Sequence, residues 1–444
     1  MKTRVRSAAK LVRQLGVTTA TALVVSNMVG TGAFTAGGYL AGQLGSAKYI
    51  LLVWIIGAVC ALAGSFCYSE LGINFPSSGG EYVYLTRAYG PTWGFMTGWV
   101  SFFAGFSAPI AAAAIAFADY IGFFLPPAKA NPQITASLLI AVFTLVNCLG
   151  LKRVARIQNL LTGANIAVIV AFIVAGFLAG NGSWSHFSTP ASRTSTTPLP
   201  EQFVISLFFI YVSYSGWNAA TYIAEELKRP ARTLPLALTI GTVIVAALYL
   251  GLNAVFIYAA PLEDMKGVLA VGSLAASNLF GPGIADVFSG LMALSLVSTV
   301  SAMITIGPRL YYAMAKNGAF FSIAAKVDDR RHTPMVAILC QGACAMLMTL
   351  TPFPQLFLYI GFTLNIFAVM SVASIFIFRR RPDWQRLRVV SFAFPLVPAI
   401  FLFVGIGITV YGIAIQPLVS LVALGTIATG AAVYHVRIRP YARA

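Results

Sequence analysis

Residues 26–34 read SNMVGTGAF, and residues 211–220 read YVSYSGWNAA. Each lies inside an apolar stretch long enough to cross a bilayer, which takes about 20 residues at 1.5 Å each. Each puts glycine and small polar residues where an uninterrupted span would be apolar. Glycine costs about 1 kcal/mol relative to alanine in a helix interior. One interruption reads as a packing residue that lets helices approach. Two at matching depth, in spans that start 184 residues apart, read differently. Matched broken helices in two halves of a chain point to a binding site at the membrane midplane.

The surrounding sequence supports that frame. Of 444 residues, 59% are hydrophobic and only 9% charged, against roughly a quarter in soluble domains. A soluble enzyme of this size is excluded. Apolar segments recur at 17–42, 48–73, 92–125, 134–151, 159–180, 201–227, 235–260, 283–316, 335–351, 355–378, 391–412 and 417–436. They are continuous, unlike the alternating strands of about ten residues in a membrane barrel. The first is too long for a signal peptide. After five helices the pattern restarts, and because five is odd the second unit is inverted. Each unit has an amphipathic segment after its second span, at 76–90 and 262–281. The expected fold is an all-α integral membrane protein of twelve transmembrane helices. A cytoplasmic segment (1–16) precedes a first five-helix repeat (17–180). A second, inverted repeat (201–378), two added helices (391–436) and a cytoplasmic tail (437–444) follow. The Ser/Thr/Pro-rich loop 181–200 needs no fold of its own.

The net charge of +17 invites a nucleic-acid reading, but its placement argues otherwise. With the N-terminus inside, 25 of the 29 Lys and Arg fall in cytoplasmic loops and four, Lys48, Lys129, Arg193 and Lys266, outside. That asymmetry fixes an even number of spans with both ends cytoplasmic. It accounts for the charge without nucleic acid. Cys60, Cys67, Cys148, Cys340 and Cys344 fall in predicted helices and read as buried packing residues. No His/Cys/carboxylate cluster suggests a metal, no GxxxxGK[ST] suggests nucleotide, and no cofactor is expected. An embedded enzyme would need converging His, Asp, Glu or Cys, and a channel would need rings of charge or carbonyls. Neither is present.

Four motifs then carry a resemblance. GTGAF resembles the Gly-Ser/Thr-Gly motif of the amino acid–polyamine–organocation superfamily. YSELGINFPSSGGEYVYLTRAYGP (68–91), SYSGWNAATYIAEELKRPARTLP (213–235) and GPRLYYAMAKNG (307–318) resemble further signatures of it, the second of these particularly those of its L-type amino acid transporters. The resemblance implies a LeuT-like 5+5 inverted repeat with discontinuous helices 1 and 6, and amino acid transport by alternating access.

The breaks suit an amino acid on physical grounds. Burying a carboxylate or an ammonium without partners costs several kcal/mol. The amides of Gly30, Thr31 and Gly32, at the start of a half-helix, suit the carboxylate. The carbonyls near Val212, Ser213 and Ser215, with those of Met28 and Val29, suit the ammonium. Many relatives carry an aromatic gate where Val212 falls; Tyr211 and Tyr214 flank it. Several relatives carry a lysine in helix 5 where RIQNLLTGANIAV (156–168) places Asn165. Asn165 is expected to fill that position neutrally, with Ser298 and Thr299 in helix 8. Those hydroxyls are also the raw material of a sodium site, although such residues more often bond their own backbone. Glu225, Glu226 and Arg309 are inner-gate candidates; Glu70, Glu81, Asp119 and Asp286 read as interfacial and structural. Helix 3 offers no acid except Asp119, further out, so the expected substrates are small to medium neutral amino acids, moved by exchange or secondary active transport. The alternative is a proton- or sodium-coupled symporter of cationic amino acids or polyamines. In some relatives a subunit is attached through a cysteine after helix 3; the loop 126–133 has none, so no disulfide-linked partner is expected there. The expected location is a bacterial inner membrane.

Overall fold

The computed structural model describes residues 11–30, 32–122, 125–268, 271–328, 330–351, 353–415 and 417–439. Among them there is no strand, only an isolated parallel bridge between Leu15 and Leu227. Everything else of regular form is helical. Among the described residues eight helices are long and apolar enough to cross a membrane, and five shorter apolar helices accompany them.

The first apolar segment is two helices, α1 (Val17–Met28) and α2 (Gly32–Leu44). α3 (Ala47–Asn74) follows, then α4 (Glu81–Tyr89). The next span is α5 (Pro91–Val100) and α6 (Ala108–Ile121), joined by a π-helical turn over Ser101–Ser107. α7 (Pro132–Asn147) and α8 (Leu151–Ala179) complete the first half. α9 (Leu199–Ser213) ends in the second break and continues as a 3-10 turn over Ala219–Glu226, kinked at Ile223. α10 (Pro230–Ala259), α11 (Val271–Phe280), α12 (Pro282–Lys316), α13 (Met335–Met348) and α14 (Phe353–Phe378) come next. α15 (Leu396–Ile415) and α16 (Pro417–Val433) close the chain.

The centre is built from α1, α3, α10, α12 and α6. α10 lies along α3 and α1, and α12 lies along α6 and α1. Small residues permit these approaches: a Cβ on Gly241 would meet the Val24 side chain at 2.6 Å. α15 and α16 bury only 22% of their apolar windows, against 61% for α3 and α10. Their outward leucines and phenylalanines, such as Phe403 and Leu418, are large apolar groups with no protein cover. In this hydrophobic chain such a surface meets lipid.

Three expectations change. The π turn was read as plain helix. Cys340 is exposed and Cys344 half-buried, rather than buried packing residues. The polar loop 181–200 is a structured strap: Ala191 N–H bonds Gly45 O at 2.9 Å, Thr194 N–H bonds Gly42 O at 2.8 Å, and Ser192 N–H bonds Glu263 Oε2 at 3.1 Å. Its backbone amides, with the Thr194 hydroxyl and the Arg193 guanidinium, bond carbonyls that the end of α2 leaves open. Residues 1–10 and 440–444 of the predicted tails lie outside the described residues.

Candidate functional site

The first break begins where α1 loses helical backbone. Val29 is extended (φ −71°, ψ 101°), its N–H still bonded to Val25 O at 2.8 Å. α2 starts at Gly32, and Thr31 lies outside the described residues. In the second break Ser215 N–H bonds Val212 O at 2.9 Å and Gly216 turns left-handed at φ +99°. The two breaks touch. A Cβ on Gly32 would stand 2.5 Å from Ser213 Oγ and 3.2 Å from its Cα. One on Gly216 would stand 2.6 Å from Asn27 O. Both glycines are there because backbone passes backbone. Gly30 differs: its nearest neighbour would be Met28 O at 3.9 Å.

A cavity opens at this crossing. It is lined by Met28, Gly30 and Gly32 from the first break and Val212, Ser213 and Ser215 from the second. α12 adds Thr299, the π turn adds Gly105 and Phe106, and α14 adds Ile360 and Leu364. Freed carbonyls near it are held by hydroxyls. Tyr249 Oη donates to Met28 O at 2.6 Å and lies 3.2 Å from Ser213 O, bridging the breaks. Thr299 Oγ1 donates to Val29 O at 2.5 Å. The π turn frees Ser101 O, which accepts from Tyr311 Oη at 3.2 Å.

Not every expected residue reaches the cavity. Val29 is fully buried beside it. Tyr214 turns away, donating to Trp54 O at 3.2 Å with its ring edge-on to that indole. Tyr211 and Trp217 line the cavity, together with Phe106 and Tyr222. Asn165 does not cap the helix 1 carbonyls: its Nδ2 is buried without a hydrogen-bond partner. The junction of α1, α8 and α12 is filled instead by residues up to two turns earlier on α8. Ser26 Oγ lies 2.6 Å from Thr162 Oγ1 and 2.8 Å from Ser298 Oγ, and Gln158 Nε2 donates to both partners at 3.2 Å.

Charges cluster at the end where the N-terminal segment lies. Arg309 Nε donates to Glu226 Oε2 at 3.0 Å, with both side chains almost fully buried. Gln14 and Leu15 N–H bond Glu226 O, and Lys228 N–H bonds Leu15 O. Glu225 takes the exposed Lys316 at 3.6 Å instead. Glu70 is structural: Arg379 grips both its oxygens at 2.7 Å, and the Trp384 indole and Leu387 N–H add two more bonds.

Glu81 overturns its reading as an interfacial group. It lines the cavity, is 4% exposed, and accepts from Tyr68 Oη at 2.6 Å and Asn218 Nδ2 at 3.0 Å. Burial pushes its carboxyl up to about 7, which those donors only partly offset. The signal was present: two glycines precede an acid within a weakly polar segment. Tyr249 was missed because a lone tyrosine in an apolar span reads as packing.

The profile of the amino acid permease family matches residues 15–433. The mouse large neutral amino acids transporter small subunit 2 is 27% identical over 437 residues, covering 96% of this chain and 81% of its own length. The mouse Asc-type amino acid transporter 1 is 27% identical with the same coverage. The serine/threonine exchanger SteT of Bacillus subtilis is 27% identical over 395 residues, 87% of each chain. This chain belongs to the amino acid permease family, as an integral membrane transporter rather than an enzyme.

Proposed function

We propose that this permease exchanges small to medium neutral amino acids across a bacterial inner membrane by alternating access, at the cavity where the two breaks cross. The observation that carries this is the crossing itself: two interrupted helices present backbone to one cavity, with no charged side chain in either break. Amides of Gly30, Thr31 and Gly32 hold the carboxylate. Carbonyls of the second break near Val212, Ser213 and Ser215 take the ammonium, supported by that of Met28, whose second lone pair is free of the Tyr249 bond. Ala112, Ile360 and Leu364 offer the side chain an apolar wall. Relatives named for large neutral amino acids and for serine/threonine exchange favour neutral substrates, the second of them small ones.

In this reading α1 with α2, α7, α9 with its 3-10 turn, and α13 add four crossings to the eight long helices, giving twelve in a LeuT-like 5+5 inverted repeat (17–180 and 201–378) plus two (391–436), with both termini cytoplasmic. The Arg309–Glu226 pair and the Leu15–Leu227 bridge form the inner gate. The hydroxyl cluster around Ser26, Ser298 and Thr299 fills the junction where relatives place a lysine. No disulfide-linked subunit joins at the loop after α6. The test is thermal stabilisation of the purified protein by a panel of amino acids. Alanine, serine or leucine should raise the unfolding midpoint, and the α-carboxamide of the same amino acid should not. Stabilisation by lysine and arginine alone would refute the substrate class.

A further inference from the structure

Among the described residues that line the cavity, Glu81 carries the only acidic side chain. It opens α4, and the chain reaches it through Gly79 and Gly80, at φ +119° and +50°. A Cβ on Gly80 would meet Thr221 Oγ1 at 2.7 Å, so this segment is pressed against the 3-10 turn that follows the second break. The groups facing the carboxyl are Tyr68 from α3, Asn218 and Tyr222 from the second break and its 3-10 turn, Tyr211 from α9 and Tyr84 from its own helix. None is a cation, and none of the ion pairs among the described residues includes Glu81. A buried carboxyl among neutral donors, on the wall of a cavity that fills and empties, changes its solvation with every cycle.

We propose that Glu81 is a proton-binding site of the transport cavity, protonated when a neutral amino acid is bound, so that the pH dependence of exchange is set by this residue. The proposal rests on the reading of the cavity as the amino acid site. An entering substrate displaces the water that solvates an ionised carboxylate, and an apolar side chain does not replace it. The bound state therefore favours the neutral acid. By reciprocity, the protonated cavity favours the substrate. The proton comes from water and adds to Oε2, while Oε1 keeps the Tyr68 and Asn218 bonds. In exchange, the loaded form moves both ways, so the proton that enters with one substrate leaves with the next and no net gradient is consumed.

The experiment uses the full chain, purified in detergent at pH 7.5 in weak buffer with a pH-sensitive dye. L-alanine should cause proton uptake, and its apparent affinity should weaken by about tenfold from pH 6 to pH 8.5, the change expected if binding shifts the carboxyl by about one pH unit or more. Glu81→Gln should bind alanine with neither effect. Tyr68→Phe removes a donor to the ionised form and should move the affinity midpoint to higher pH, which tests the proposal separately from the fold of the first variant. Alanine binding by the unmutated protein without proton uptake overturns the proposal and leaves the transport reading standing. An unchanged pH profile in both variants overturns it too. Tighter binding of lysine than alanine at pH 8.5, without proton uptake, would make Glu81 a cation subsite instead. Stabilisation by no amino acid at any pH would overturn the transport reading itself.

Discussion

Gly30 and Gly32 stand two residues apart and exclude a side chain for different reasons. A methyl on Gly32 strikes Ser213, with its Cα at 3.2 Å, so Gly32→Ala must part the breaks and should lower the thermal midpoint even without substrate. A methyl on Gly30 meets nothing closer than 3.9 Å and enters the cavity. Gly30→Ala should therefore fold with an unchanged midpoint but lose stabilisation by alanine, as thermal unfolding with and without the amino acid would read. A midpoint shift by alanine equal to that of the unmutated protein would remove Gly30 from the carboxylate site. Glu81 makes a second prediction through stability alone. Its folded carboxyl titrates near 7, above the ordinary 4.5, so between those values the folded state holds a proton that the unfolded chain has lost. Its contribution is most favourable at the acid end and declines as pH rises from about 4.5 to 7. The substrate-free midpoint should fall over that window, and Glu81→Gln should flatten the fall. At this scale the sequence was partly legible. GTG and SYSG announced themselves as a pair at matching depth in two spans, where one alone would read as packing. Asn165 was misplaced because alignment gives a position along the chain and not the rotation of α8, which brings Thr162 and Gln158 to the junction. Glu81 was placed at the membrane interface because sequence shows an acid near an apparent helix end, not the turn that carries it inward.

Two elements bind the breaks together, and each can be cut separately. α10 supplies Tyr249, whose hydroxyl serves carbonyls of both breaks. Tyr249→Phe keeps the ring and leaves those carbonyls without a donor, a cost of about 1–3 kcal/mol. It should lower the midpoint and slow exchange more than it weakens alanine binding, measured by comparing the KM and the maximal rate in vesicles. A change in KM alone would make Tyr249 part of the binding surface. α12 and the 3-10 turn are joined by Arg309 and Glu226, both almost fully buried. Removing either partner strands a buried charge at about 3–5 kcal/mol, whereas replacing both with neutral groups costs less. Arg309→Met should thus be worse than Arg309→Met with Glu226→Gln, read as expression of folded protein and thermal midpoint. Equal loss in the single and double variants would show that the pair is not coupled. Helices of this kind were readable from hydropathy, since length and apolar content decide a span. The π turn and the 3-10 form of residues 219–226 were not, because both arise from neighbours that capture freed carbonyls, as Tyr311 does at Ser101.

For the whole molecule, apolar periphery, charge asymmetry and two crossing breaks belong to one device: a lipid-embedded frame around a cavity at the crossing of two broken helices. Its class was evident in composition, because 9% charged residues cannot clothe a soluble protein of this size. The strap formed by residues 181–200 was not evident, since short polar residues bond whatever backbone lies near them. Whether the device exchanges amino acids is decided in proteoliposomes containing the full chain, at equal pH and without sodium on either side. Vesicles preloaded with unlabelled L-alanine, L-serine or L-leucine and diluted into the labelled amino acid should accumulate label rapidly, and empty vesicles should not. Equal uptake by empty and preloaded vesicles, or none with any amino acid inside, would contradict the account.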